Sequence, residues 1–155
     1  MSKCKKEYAF FIGLPLVLGG ISGFLNQSSM EKYGNWIQPP LSPPSWVFPV
    51  AWMALYILMG VGAAMVYCKK GESWQTSIKL FLAQLFVNVF WVYFFFTLEW
   101  TLFAFFWLVA LLLLVLAMTA SFAKSVPLAA KLQIPYILWL VFAGYLNLGI
   151  WFLNK

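Results

Sequence analysis

Five apolar stretches, each about 20 residues long, constrain the fold of this chain more than any other feature. A helix needs about 20 mainly apolar residues to cross the hydrocarbon core of a bilayer. The chain is 64% hydrophobic and 9% charged, which excludes an ordinary soluble domain. We therefore predict an all-α integral membrane protein, one five-helix domain over residues 1–155, with spans at about 8–26, 46–68, 78–97, 101–123 and 132–153.

The lysines predict the orientation of these spans. Eight of the ten lysines fall in the N-terminus and the loops of one side, and only Lys32 and Lys155 fall on the other. The positive-inside rule then places the N-terminus in the cytoplasm, and we expect a bacterial cell membrane. Because the lysines follow the ends of the spans and form no single basic stripe, no nucleic-acid partner is expected.

Several kinds of chemistry lack the residues they need. The chain has no histidine, the commonest metal ligand and the usual proximal haem ligand, and no charged residue lies centrally in a span. Proton-coupled exporters and ion pumps generally keep such a charge at membrane depth. We expect no metal site and no required cofactor, and we interpret Cys4 and Cys68 as reduced, unpaired thiols.

A proline-rich stretch, WIQPPLSPPSW, separates the first two spans. Proline fixes φ and biases the preceding residue towards extended geometry, so this stretch should be stiff and non-helical. It loses little entropy when it folds over a surface, and we interpret it as a lid loop. The alternative is an interfacial connector without a ligand role.

Uncharged polar and aromatic residues recur at helical spacing within the spans. Gln84, Asn88 and Trp91 share one face of the third span. Such faces predict a pocket for a flat, mostly apolar ligand, although amides also pair between helices and tryptophans also form interfacial belts. The candidate lining residues from this reasoning are Trp52, Tyr56, Asn88, Trp91, Trp139, Ala143 and Asn147.

Small residues and prolines give further expectations for the bundle. Gly19 with Gly23 and Gly60 with Ala64 are spaced four apart, which predicts close helix approach, either inside the bundle or in a dimer. Pro15 and Pro135 both fall within predicted spans and could kink them.

Three segments carry a resemblance to a known family: PPLSPPSWVFPVAWMALYILMG, QLFVNVFWVYFFF and PYILWLVFAGYLNLGIW. Together they resemble the TspO/MBR family of tryptophan-rich sensory proteins and translocator proteins. The resemblance implies a five-helix bundle, often a homodimer, whose pocket is closed by the loop between the first two helices. It also implies porphyrins, isoquinoline-type or benzodiazepine-type drugs and, in some members, sterols as ligands, and it adds Pro44, Trp46 and Tyr33 to the lining.

One departure from the family pattern concerns sterols. Family members that bind cholesterol carry L-N-Y and a nearby arginine in the last helix, whereas this chain reads LNLGIWFLNK. We therefore do not expect specific sterol recognition. The favoured hypothesis is a membrane receptor or carrier with porphyrin as its ligand. The alternatives are an enzyme-like porphyrin degradation in light and oxygen, borne by Trp52 and Trp139, and a structural or partner-binding membrane protein.

Overall fold

The computed structural model describes residues 2–155 of the chain. It is all-helical in this range, and five of its helical segments are long and apolar enough to cross a membrane. This confirms the predicted class, an integral membrane bundle of five spans. The α-helices are α1 Lys5–Leu25, α2 Gln27–Lys32, α3 Val47–Lys69, α4 Trp74–Val92, α5 Thr101–Ser125, α6 Pro127–Lys131 and α7 Ile134–Asn154.

The helix ends follow the local chemistry of the chain. Helix α4 continues as a π-helix, Tyr93–Thr97, and the link to α5 turns at Glu99 with φ of 56°. Pro127 opens the short α6, where its missing N–H leaves no helical hydrogen bond unmade. The expected kink at Pro135 was wrong, because α7 begins at Ile134 and the proline therefore lies in its first turn.

Helices α1 and α3 approach closely at two glycines. A Cβ atom on Gly60 would lie 2.4 Å from the carbonyl oxygen of Phe11, and one on Gly19 would lie 2.3 Å from the ring of Tyr56. A Cβ atom on Gly23, by contrast, would have no neighbouring atom within 4 Å. The small residues at 19 and 60 therefore serve packing inside the bundle. At Gly60 the absence of a side chain lets two backbones approach, and at Gly19 it leaves room for the Tyr56 ring.

The interior of the bundle is apolar, with polar side chains paired inside it. Ser77 and Ser121 share a hydrogen bond of 2.6 Å between α4 and α5. Interhelical hydrogen bonds of this kind are typical of membrane bundles. The largest fully buried apolar and aromatic side chains are Met59, Phe81, Leu85, Leu108, Leu111, Met118, Phe122, Tyr136, Leu140 and Ile150.

The two cysteines are bonded to each other, so the expectation of unpaired thiols was wrong. Their Cα atoms are 6.3 Å apart, within the usual range for a disulfide. Cys4 lies just before α1 and Cys68 near the end of α3, 64 residues later. The packing of α1 on α3 brings them together, and sequence separation alone carries no signal of this.

Candidate functional site

A chain of buried hydrogen bonds crosses the middle of the bundle. The Tyr56 hydroxyl donates to Oδ1 of Asn88 at 2.9 Å, and Nδ2 of Asn88 donates to the Tyr136 hydroxyl at 2.7 Å. The Tyr136 hydroxyl in turn donates to Oε1 of Gln84 at 2.8 Å. We call Tyr56, Asn88, Tyr136 and Gln84 the amide–phenol chain. It joins α3, α4 and α7 and satisfies polar groups that would otherwise be costly to bury.

Asn147 and Trp91 form a second polar contact, nearer the other end of α7. The indole Nε1 of Trp91 donates to Oδ1 of Asn147 at 3.0 Å, and Nδ2 of Asn147 donates to the backbone oxygen of Thr101 at 2.7 Å. The Trp91 ring also stacks on Phe95, with 5.0 Å between ring centroids. Both residues are therefore tied to neighbouring helices.

Five rings form what we call the aromatic cluster: Phe48, Trp52, Tyr56, Tyr136 and Trp139. Two of them, Tyr56 and Tyr136, also belong to the amide–phenol chain. Trp52 stacks on Tyr56 at 5.6 Å and meets Trp139 edge-on at 6.3 Å. Phe48 closes the cluster against Trp139 at 5.9 Å. Such stacked and edge-on pairs are the favoured aromatic geometries.

One polar atom in the aromatic cluster has no partner. The indole Nε1 of Trp139 is buried and makes no hydrogen bond within the described residues. A buried N–H without an acceptor costs about 1–3 kcal/mol, so a ligand with an acceptor atom would relieve this cost. Trp139 therefore combines an aromatic face with a free donor.

The proline-rich loop, residues 36–46, is docked on the last turns of α7. The side-chain amide of Asn154 pairs with the backbone of Ile37 in both directions, each bond being 2.9 Å long. The Tyr145 hydroxyl donates to the backbone oxygen of Pro40 at 2.7 Å. Pro39 packs so closely on Gly149 that a Cβ atom there would lie 2.8 Å away. The loop thus covers one end of the bundle.

Tyr33 connects this end of the bundle to its interior. Its ring lies 6.1 Å from Phe48 and 6.2 Å from Phe95, measured between centroids. Burial raises the pKa of the Tyr33 phenol above its ordinary value. Tyr33 is thus neutral at any physiological pH and serves as an aromatic surface.

The structure groups the sequence-predicted residues unevenly. Trp52, Tyr56, Asn88 and Trp139 come together in the aromatic cluster and the amide–phenol chain. Trp91 and Asn147 pair with each other, with Ala143 buried on the same helix as Asn147. Trp46 is 67% exposed, and Pro44 is also exposed, so neither contributes a buried surface.

Two central residues were absent from the predicted set. Tyr136 lies three residues before Trp139 on α7, and Phe48 lies four residues before Trp52 on α3. Extending each helical stripe by one turn would have found them.

Open space lies elsewhere in the molecule. One groove of about 230 Å³ lies between α5 and α7, around Phe105 and Gly144, and another of about 310 Å³ lies by Lys6 and Glu7. Neither is lined by a predicted site residue. The aromatic cluster is filled by its own rings, which bury one another. Among residues 2–155 there is no group of three or more metal-ligating side chains.

Comparison with known proteins decides the family. The sequence model of the TspO/MBR family matches residues 11–152. The chain belongs to the TspO/MBR family. It is 32% identical to the tryptophan-rich protein TspO of Chlorobaculum tepidum, across 99% of both chains. It is also 36% identical to protein CrtK of Rhodobacter capsulatus, over 79% of this chain and 78% of that one, and 32% identical to human translocator protein, over 84% and 79%.

The range of the TspO/MBR match agrees with the helices and the loop described above. The TspO/MBR match includes part or all of each of the five spans, the proline-rich loop and both polar contacts. The predicted class, a five-span membrane protein of the TspO/MBR family, is therefore confirmed.

Proposed function

We propose that this protein is a membrane receptor or carrier for tetrapyrroles, such as protoporphyrin, and for other flat hydrophobic molecules. The observation that carries the proposal is the aromatic cluster with its buried, unpartnered Trp139 indole. Indole and phenol faces suit stacking on a macrocycle, and the free N–H suits an acceptor atom at its edge. The isoquinoline-type and benzodiazepine-type drugs of the family resemblance are flat in the same way.

Entry of such a ligand requires movement, because the cluster is closed by its own packing. Ligand pockets usually have about 300–1,000 Å³, and neither of the two grooves described above is lined by Phe48, Trp52 or Trp139. The proline-rich loop is the natural element to move, since few side-chain hydrogen bonds hold it to α7. Binding then consists of loop release, separation of the rings and stacking of the ligand between them.

The test is a titration of the purified protein with protoporphyrin in the dark, followed by tryptophan quenching and by the porphyrin absorption band. The double variant Trp52→Phe, Trp139→Phe should weaken binding by about fivefold, because phenylalanine offers a smaller ring face and no N–H, and one lost hydrogen bond is worth about 1 kcal/mol. The matched control, Trp100→Phe with Trp151→Phe, removes two indoles outside the cluster and should bind normally. Equal affinity in all three proteins, or quenching that never saturates, would exclude this site.

A second candidate function is light-driven degradation of the bound porphyrin, in which the porphyrin supplies the photochemistry and oxygen the oxidant. Support comes from the closeness of Trp52 and Trp139, two oxidisable rings 6.3 Å apart. Under light and oxygen, the double phenylalanine variant, at saturating porphyrin, should lose protein-dependent porphyrin bleaching. Bleaching at the wild-type rate in that variant would leave binding alone as the function.

A homodimer is the partner we propose. Gly13 and Gly20 are seven residues apart on one face of α1, and nothing lies within 4 Å of a Cβ built on either. Small residues facing lipid let a second helix approach. Leucine at both positions should abolish energy transfer between labelled copies in liposomes, whereas Ala110→Leu, on an exposed position of α5, should not. Unchanged transfer in the glycine variant would reject this face as the interface.

For the membrane placement, we propose a bacterial cell membrane with the N-terminus in the cytoplasm. The lysine asymmetry supports the orientation, and the likeness to TspO of Chlorobaculum tepidum supports a bacterial setting. The cytosol keeps thiols reduced, so in cells Cys4 and Cys68 should react with a thiol reagent added at lysis, and the disulfide should form on purification. A disulfide already closed in freshly quenched cells would indicate the opposite orientation.

A further inference from the structure

The groove beside Lys6 and Glu7 has a composition that the tetrapyrrole proposal does not use. It has a volume of about 310 Å³ and is lined by Lys6, Glu7, Phe10, Phe11 and Tyr67. It lies at the lysine-rich end of the bundle, between the start of α1 and the end of α3. The disulfide joins the same two elements, since Cys68 directly follows Tyr67 and Cys4 lies three residues before Glu7.

An unpartnered carboxylate oxygen marks this groove. Oε2 of Glu7 is buried and has no hydrogen-bond partner within the described residues. A buried carboxylate oxygen is costly unless a donor or a cation meets it. Lys70, which directly follows α3, lies instead over the rings of Tyr67 and Trp74, 5.4 and 5.5 Å from their centroids.

The other lining residues indicate which ligand groups the groove favours. Aromatic rings attract an ammonium group through their faces, and the Lys6 ammonium attracts a phosphate. Phe10, at the outer wall, is 58% exposed and continues into the apolar surface of α1, where a bilayer would place acyl chains. The groove therefore combines a group that binds a cation, a group that binds an anion and an exposed apolar side chain.

We propose that this groove binds the headgroup of phosphatidylethanolamine from the surrounding bilayer. Oε2 of Glu7 is closed to water in this conformation, so binding requires the Glu7 side chain to turn into the groove. The primary ammonium then donates a hydrogen bond to Oε2 against the aromatic wall, the phosphate pairs with Lys6, and the acyl chains run along Phe10. Phosphatidylcholine fits less well because its quaternary ammonium has no N–H to donate. Phosphatidylglycerol fits less well because it carries no cation for Glu7.

The test compares short-chain lipids of equal acyl length with the purified, disulfide-bonded protein in detergent, using the thermal unfolding midpoint as readout. Phosphatidylethanolamine should stabilise the protein saturably, at a half-saturating concentration at least about tenfold lower than phosphatidylcholine, because a hydrogen bond to a charged group is worth that much. Glu7→Gln should reduce this ratio to about one. Glu72→Gln, an exposed carboxylate at the same end of the bundle, should leave it unchanged. Lys6→Gln should weaken both zwitterionic lipids, and Lys5→Gln neither.

Three results would overturn the proposal. Equal stabilisation of the wild type by the ethanolamine and choline lipids would show that no hydrogen bond to Glu7 selects the headgroup. An undiminished ethanolamine preference in Glu7→Gln would place the lipid elsewhere. Full stabilisation by soluble phosphoethanolamine would identify a free solute rather than a lipid as the ligand. Should Glu7→Gln fail to fold, Glu7→Asp provides the same comparison, with a shortened reach that lowers the lipid ratio.

Discussion

Replacing Gly60 by alanine tests whether the closest contact of α1 with α3 is set by the absence of a side chain. An added Cβ would lie 2.4 Å from the carbonyl oxygen of Phe11 and 2.6 Å from Cα of Ile12. Both are backbone atoms, so no side-chain rotation relieves the contact. To restore an ordinary contact distance, α1 must withdraw by about 1 Å at this point.

The free energy of this change follows from two opposing effects. Overpacking of a filled interior costs about 1–3 kcal/mol, and a clash with backbone belongs at the upper end. Alanine is a better helix former than glycine by about 1 kcal/mol, which offsets part of the cost. We therefore expect Gly60→Ala to lower the free energy of unfolding by about 1–2 kcal/mol.

The assay is thermal unfolding of the purified protein in detergent, where each kcal/mol corresponds to about 2–4 °C for a chain of this size. Gly23→Ala is the matched control, because a Cβ at Gly23 has nothing within 4 Å and keeps only the gain in helix propensity. Its midpoint should stay level or rise. If Gly60→Ala is as stable as Gly23→Ala, the close approach of the two helix backbones does not limit the packing.

Three further predictions concern side-chain contacts. Tyr136→Phe leaves two buried atoms, Nδ2 of Asn88 and Oε1 of Gln84, without their hydrogen-bond partner. It should destabilise the protein by about 1–3 kcal/mol in chemical or thermal unfolding. Tyr93→Phe, at an exposed position, should change stability by less than about 0.5 kcal/mol. Asn154→Ala removes two hydrogen bonds to the proline-rich loop, so the loop amides should exchange hydrogen faster and protoporphyrin should associate faster. Asn35→Ala should match the wild type in both measurements. An unchanged association rate in Asn154→Ala would show that the loop does not gate entry. Cys4→Ser should lower stability by about 2–4 kcal/mol relative to the disulfide-bonded protein and make it insensitive to reducing agent; equal melting of the two proteins without reductant would show that the bond adds no constraint.

The five spans were predictable because the requirement that creates them is local. About 20 consecutive apolar residues suffice to cross a bilayer whatever the rest of the chain does. The structure moves their ends by only a few residues, for example from 8 to Lys5 at the start of the first span. The shared face of Gln84 and Asn88 was predictable for the same reason, since a helix fixes which residues lie one turn apart.

The partners of those residues were not predictable from spacing. In a soluble helix, apolar periodicity reveals the buried face, but in a membrane the lipid-facing and interior faces are both apolar. Nothing in the stripe on α4 indicates that Asn88 meets Tyr56 and Tyr136. That outcome depends on which helices are neighbours.

The sequence by itself determined the membrane class, the number of spans, the stiffness of the proline-rich loop and the residue types available for a flat ligand. Only the tertiary structure decided that the loop docks on Asn154 of α7, that the aromatic cluster is closed by its own rings, and that Cys4 meets Cys68. The physical reason is the range of the interactions. Hydropathy and backbone restriction act within a few residues, whereas these contacts join residues 64 or more positions apart and arise only from the packing of the helices.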